Sequence, residues 1–493
     1  MPASAEFIPA LPPREAGTAS YRWLAAALRS AILEGRLKPG ARLPGTRRLA
    51  VRFGVSRGTV ITAFDELAAQ GYLTGEIGSG TFVNRVLPDD LMQVKRPTPS
   101  VGSAGRKLTP SASLSGYGGR LVRLGSSGPR RPRAFRTNEP ALDLFPARLW
   151  AQIAGRALRR GETIVATDGE PLGFLPLREA IADYLGAARG VRCRGEQVAI
   201  VSGVQEALDV TTRLLVDPGD RVLLEEPGYD GAAHVFGAAG ARIVSMRLDD
   251  EGMTLPSSRL GDVRLAYVTP AHQFPTGVAM SLPRRLALLE WARRAGCRIL
   301  EDDYDSEFRY SGRPIPAMQG LDDGDTVIFV GSFSKVLFPS LRLGYVVLPD
   351  DLVSSFEAAK SVRNRYASLL EQVVLAEFIG AGHFGRHLRR MREIYAERSA
   401  MLVEAVQRDL AGRLELARVE AGLQTTAWLP PDLSDEAVAA CAALHDLEVT
   451  AVSRYCRTTP ERHGLQLGFA AIGIPEIRRG VRQLERVLDE VRT

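Results

Sequence analysis

A lysine acts as a nucleophile only when its amine is neutral, and that state has to be arranged by the groups around it. Lys335 ends the run Gly331-Ser332-Phe333-Ser334-Lys335, and Arg342 follows seven residues later in Ser340-Leu341-Arg342-Leu343-Gly344. About thirty residues upstream stands the acidic stretch Glu301-Asp302-Asp303-Tyr304-Asp305. An amine, carboxylates, a phenol, two hydroxyls and a guanidinium suit a phosphorylated aromatic aldehyde. Pyridoxal phosphate makes these demands. It needs a neutral lysine for a Schiff base, a carboxylate that keeps the ring nitrogen protonated, a donor to the phenolic oxygen and an aromatic face against the ring. Its phosphate needs backbone N–H groups at a helix start, hydroxyls and an arginine.

Most of these groups stand at the ends of short apolar runs. Val198-Ala199-Ile200-Val201 reads as a buried strand, after which Ser202-Gly203-Val204-Gln205 opens an amphipathic helix whose free N–H groups can cradle a phosphate. Arg221 to Leu224 reads as a second strand, running into Glu225-Glu226-Pro227-Gly228-Tyr229, with Tyr229 placed to stack on a ring. Arg298-Ile299-Leu300 leads into the acidic stretch, and Thr326 to Val330 leads into the lysine. Strands alternating with helices predict a largely parallel sheet with its ligand at the strands' carboxyl ends.

The amino-terminal region has a different pattern. Tyr21, Leu24, Leu28 and Ile32 recur at helical spacing, and Gly35 stops that helix. Thr46 is expected to cap a short helix through Phe53. Gly54-Val55 makes a tight turn, and Ser56 caps a third helix with Val60, Phe64 and Leu67 facing inward. Arg57, Gly58 and Thr59 then lie outward at its start, where a recognition helix meets bases. Tyr72-Leu73-Thr74 and Thr81-Phe82-Val83 read as two strands around the hairpin tip Gly78-Ser79-Gly80.

The totals agree with a two-part molecule. The chain has 493 residues and a net charge of +6. Residues 1–85 hold 11 Lys+Arg against 6 Asp+Glu, and residues 86–136 hold 10 against 2, so the rest of the chain carries −7. Positive charge at one end suits a phosphate backbone there. Residues 86–133, rich in Pro, Ser, Gly and Arg, read as a linker between a domain at 15–85 and a larger one at 134–493. No apolar run approaches a membrane span, and the amino terminus lacks a secretory pattern, so a cytoplasmic location is expected. Cys193, Cys297, Cys441 and Cys456 form no CxxC pair. Neither a disulfide nor a metal site is expected.

Two resemblances sharpen this reading. Gly35 to Gly40, Leu43-Pro44, Arg47, Gly54-Val55-Ser56-Arg57, Gly71-Tyr72-Leu73 and Gly78 to Val83 resemble the GntR-type winged helix-turn-helix. That likeness implies DNA contacts from Arg47, Arg57 and Thr59, with the wing tip at Gly78, Ser79 and Gly80. Residues 134–493 resemble the fold-type I aminotransferases, an α/β fold with a mostly parallel sheet and a smaller C-terminal α+β subdomain. That likeness implies that Lys335 forms the Schiff base, Asp302 pairs with the ring nitrogen and Tyr304 donates to the phenolic oxygen. It also implies that Ser332, Ser334, Arg342 and the N–H groups near Gly203, Val204 and Gln205 hold the phosphate.

Two positions depart from the enzyme pattern. Where aminotransferases show Asn-Pro-x-Gly, Phe274-Pro275-Thr276-Gly277 stands here, leaving Gln273 or His272 as the replacement donor, or His272 as a core residue. Where they carry an arginine for the substrate carboxylate, Gln466 stands in Gly464-Leu465-Gln466-Leu467, and a neutral amide cannot make a bidentate charged clamp. Arg454 or Arg457 is the nearby compensation.

Domain order and linker together resemble the MocR/GabR regulators, a winged helix fused to an aminotransferase-like domain. That likeness implies binding of double-stranded DNA, a head-to-tail homodimer, and an effector that is pyridoxal phosphate itself or an amine or amino acid. Control of vitamin B6 or amino-compound metabolism would follow. The rival expectation is a working aminotransferase with a vestigial DNA module.

Overall fold

The computed structural model describes residues 12, 14, 18–76, 80–86, 114–121, 133–160, 168–256, 263–312, 315–323, 325–416 and 419–492. Two compact units are present, residues 1–109 and 110–493. Most of the sequence expected to form the linker, and wing-tip residues Gly78 and Ser79, lie outside the described residues.

The smaller unit consists of α1 (Ser20–Leu33), α2 (Thr46–Phe53), α3 (Arg57–Ala69), β1 (Leu73–Glu76) and β2 (Gly80–Val83). Leu24, Leu28 and Ile32 of α1 meet Leu49 of α2 and Val60, Phe64 and Leu67 of α3 in one core. Gly54 closes α2 in the left-handed conformation, φ 63°, which a side chain would strain. Two residues later the Ser56 hydroxyl accepts from the Thr59 N–H at 3.1 Å and starts α3. Thr46 does not cap α2. It is the first helical residue, and Gly45 occupies the cap position with no side-chain bond. The two strands pair antiparallel, Leu73 opposite Val83 and Thr74 opposite Phe82.

The larger unit is built on an eight-stranded sheet in the order β3-β10-β9-β8-β7-β4-β5-β6. Its strands are β3 (Val198–Val201), β4 (Arg221–Glu226), β5 (Arg242–Asp249), β6 (Gly252–Met253), β7 (Val263–Val268), β8 (Arg298–Asp303), β9 (Val327–Ser332) and β10 (Gly344–Val347). β5, β4, β7, β8 and β9 run parallel to their neighbours in that series. β10 runs antiparallel to both β9 and β3, so the sheet is mixed. Every residue of β3, β9 and β10 is buried, which explains why these strands read as unbroken apolar runs rather than alternating ones. Truncating Ile200 or Ile328 to alanine would cost about 2–5 kcal/mol.

Beyond the sheet, β11 (Glu415–Leu416), β12 (Gln424–Trp428), β13 (Thr450–Ala451) and β14 (Gly464–Gly468) form an antiparallel four-stranded sheet, the expected smaller subdomain. The segment at Ala134 to Asn138 is tied to it. The Gly468 N–H donates to the Phe135 carbonyl at 2.8 Å, and the Asn138 N–H donates to Gln424 Oε1 at 2.6 Å.

Candidate cofactor site and DNA-reading surface

The carboxyl ends of β3, β4, β7, β8 and β9 lie on one edge of the large sheet, around a cavity of about 290 Å³. Lys335 follows β9 and donates from Nζ to the Asn138 carbonyl at 2.9 Å. Asp302, at the end of β8, receives the Tyr267 hydroxyl on Oδ2 at 2.6 Å. Its Oδ1 is buried and has no hydrogen-bond partner among the described residues. Tyr229 lies 6.4 Å from Tyr267 between ring centroids, at 28°, and its hydroxyl accepts from Gln205 Nε2 at 3.0 Å.

Gly203 and Arg342 stand close together on the cavity wall, in a corner suited to an anion. Gly203 has φ 126°, and a Cβ on it would stand 3.5 Å from Arg342 Nη1. The helix α4 (Val204–Leu215) begins there, and its first turn bonds Glu206 N–H back to the Gly203 carbonyl at 3.1 Å. The N–H groups ahead of that bond are the free ones of a helix start. Ser332 and Ser334 line the same cavity.

Burial controls ionisation here. It pulls the Lys335 amine down to about 8, against the attraction of the Asp305, Asp302 and Glu139 carboxylates. Burial also pushes Asp302 up to about 7. The Tyr267 bond opposes that rise, while the carboxylates of Asp303, Asp305 and Glu225 add to it. Glu225 is likewise raised to about 7 by burial, against bonds from Thr269 and Gln273.

These residues fit pyridoxal phosphate. A buried carboxylate oxygen without a donor is matched by a protonated ring nitrogen, and the glycine-arginine corner matches a phosphate. Gly203, Val204, Gln205, Tyr229, Asp302, Tyr304, Ser332, Ser334, Lys335 and Arg342 are all brought to the cavity, as the sequence reading expected. Gln273 is not on that wall. Its amide nitrogen donates to Glu225 and Pro227 and its oxygen accepts from Thr276, while Phe274 faces the cavity instead. Gln466 is buried in β14 and donates to the Pro275 carbonyl at 3.0 Å, apart from the cavity wall. Arg454 is exposed, and Arg457 is held by Glu226 at 2.8 Å.

Asn138, Tyr267 and Thr269 also line the cavity, and sequence reasoning did not find them. Tyr267 and Thr269 belong to or follow an apolar strand and read as core. Asn138 lies about two hundred residues from Lys335 in sequence, with no motif to mark it.

In the smaller unit Arg47, Arg57 and Gly58 are exposed, and Gly80 is exposed at the end of the hairpin. Thr59 is half-buried, its hydroxyl 2.9 Å from that of Ser56, so it faces the cap as well as the surface.

Residues 20–83 match the family described as bacterial regulatory proteins of the gntR family, and residues 169–481 match aminotransferase class I and II. The probable rhizopine catabolism regulatory protein MocR of Rhizobium meliloti is 41% identical over 472 residues, covering 96% of this chain and 94% of that one. The chain belongs to the MocR family of transcriptional regulators.

Another relative is the pyridoxine biosynthesis transcriptional regulator PdxR of Corynebacterium glutamicum, 30% identical with 90% of each chain covered. Among solved structures, the multiple substrate aminotransferase of Thermococcus profundus aligns with a TM-score of 0.70 at 26% identity, over 77% of this chain and 98% of the other. LysN of Thermus thermophilus, complexed with N-(5'-phosphopyridoxyl)-L-leucine, aligns with a TM-score of 0.67 at 29% identity, over 73% and 92%. As a MocR-family protein this chain is a regulator that binds DNA through its winged helix and pyridoxal phosphate in its aminotransferase-like unit.

Proposed function

We propose that the protein senses pyridoxal phosphate, or an amine that reacts with it, through Lys335, and passes the signal to DNA bound at Arg47, Arg57, Gly58 and Thr59. One observation carries the reading: Lys335 and Asp302 line one cavity, where burial lowers the amine to about 8 and one Asp302 oxygen is left without a partner among the described residues. When bound, the cofactor supplies an electrophilic aldehyde and an electron-withdrawing ring. The chain's own part is to hold it. Asp302 would keep the ring nitrogen charged, Tyr229 would cover the ring, and Arg342 with Ser332, Ser334 and the start of α4 would grip the phosphate.

Gln466 bears on the effector. Its amide is committed to Pro275, and no arginine at that position holds a carboxylate. That supports a signal recognised without such a clamp, either pyridoxal phosphate itself or a simple amine. Relatives named for pyridoxine biosynthesis and rhizopine catabolism agree with control of vitamin B6 or amino-compound genes.

The chain works as a head-to-tail homodimer in the cytoplasm, with domains at 15–85 and 134–493 joined by the basic linker at 86–133. Paired winged helices suit paired operator half-sites. Among the described residues no helix is long and apolar enough to cross a membrane.

The test is footprinting on promoter DNA with and without pyridoxal phosphate, for the wild type and Lys335→Ala. The cofactor should change affinity or footprint for the wild type only, because an effector shifts an equilibrium only by its preference between two states. Identical footprints and affinities in all four samples would sink the proposal.

A further inference from the structure

Beside the cavity lies a buried pair that the roles above leave unused. His272 Nδ1 stands 3.0 and 3.1 Å from the two carboxylate oxygens of Asp305, and 3.1 Å from the Tyr304 hydroxyl. The His272 and Tyr304 rings lie nearly parallel, 5.9 Å apart at 29°. Both members of the pair are buried. Gly422 and Gly277 clamp them. A Cβ on Gly422 would overlap His272 Cε1 and come within 2.8 Å of Asp305 Oδ2, and one on Gly277 would stand 3.2 Å from His272 Nε2.

We propose that His272 and Asp305 are positioning residues that turn the Tyr304 hydroxyl proton into the cavity, as the donor to the cofactor's phenolic oxygen. The inference rests on the cofactor reading above. An imidazole nitrogen either carries a proton or accepts one, and a carboxylate only accepts. Facing two carboxylate oxygens, Nδ1 carries the proton. It therefore cannot accept from Tyr304, so that hydroxyl's own proton points away from His272. Tyr304 lines the cavity, so the proton is directed there. The segment where a second donor was expected offers no substitute. Phe274 presents only a ring, and the Gln273 amide nitrogen is engaged by Glu225 and Pro227. Burial opposes charge on His272, but Asp305 holds its proton affinity above the ordinary value. Glu225, Asp302, Asp303 and Arg309 are the other charged groups that bear on the pair and on Tyr304.

The experiment is a pH titration of the visible absorption band of the cofactor-loaded full-length protein. An oriented donor favours the ionised phenolic oxygen, so losing it raises the pKa read from the band. His272→Leu should raise that pKa by about one unit. His272→Asn, whose amide nitrogen stands near the Nδ1 position, should restore it. Tyr304→Phe should raise it as well, and His272→Leu in the Tyr304→Phe background should add nothing, because the pair acts through Tyr304. Asp305→Asn keeps the volume but removes the fixed acceptor. It should shift the pKa in the same direction, and it serves if the leucine variant does not fold. An unshifted pKa in folded His272→Leu or Asp305→Asn, or an additive shift in the double variant, overturns the proposal and leaves the cofactor reading standing. A wild-type protein with no visible band overturns both.

Discussion

Lys335 and Asp302 are displaced from their ordinary ionisation for one shared reason: burial in the protein disfavours their charged forms. The amine at about 8 is charged below that pH and neutral above it. Covalent attachment of pyridoxal phosphate, trapped with borohydride, should therefore rise about tenfold per pH unit and level off near pH 8. A rise continuing to pH 10 would show an ordinary, solvated lysine. Asp302 gives a second test without cofactor. Its pKa in the fold, about 7, lies above the unfolded value, so the penalty of charging it is absent below about pH 4 and complete above pH 7. Asp302→Asn should stabilise the cofactor-free protein at pH 8, by about 2–4 kcal/mol at most, and leave stability at pH 4 unchanged. Calorimetric unfolding at the two pH values checks this. In the loaded protein the same substitution should weaken cofactor retention, because the ring nitrogen loses its counter-charge.

Elements decide which of these residues can meet. The cavity exists because the strands leading into Gly203, Tyr229, Asp302 and Lys335 all end on one edge, and that much was legible. Buried apolar runs ending in polar segments announce both the strand and its functional end. The antiparallel course of β10 was not legible, since Gly344–Val347 is a four-residue apolar run that reads the same in either direction. Nor was the role of Tyr267, whose hydroxyl gains meaning only when β7 is laid beside β8 and brought within 2.6 Å of Asp302. The cap of α2 was misjudged because Thr46 sits one residue inside the helix, with Gly45 at the cap. In the smaller unit the periodicity of α1 and α3 was enough to place the core and expose the first turn of α3. Arg57→Ala should weaken operator binding, by about 1–3 kcal/mol if the guanidinium reads a guanine edge, and leave the cofactor's visible spectrum unchanged. Electrophoretic mobility shifts and absorption spectra on one preparation measure both, and loss of the spectrum would contradict the separation of the two units.

At the scale of the molecule, charge and chemistry are divided along the chain. The net positive charge lies before residue 137, and the cavity residues follow on a body of net negative charge. Binding of DNA should weaken steeply with salt, while binding of the cofactor, held among buried groups, should change far less. The homodimer is a prediction at this scale too: sedimentation should give about twice 53.5 kDa at micromolar concentration. A monomer there would leave each winged helix to find a half-site alone. The segment at Phe135 to Asn138 sets one more relation. The Phe135 and Asn138 carbonyls accept from Gly468 and from the amine of Lys335, and the Asn138 N–H donates to Gln424. A nitrogen that enters a covalent bond has fewer protons left to give. A group bonded to Lys335 would therefore compete with the Asn138 carbonyl for that nitrogen, at the amino-terminal edge of the larger unit.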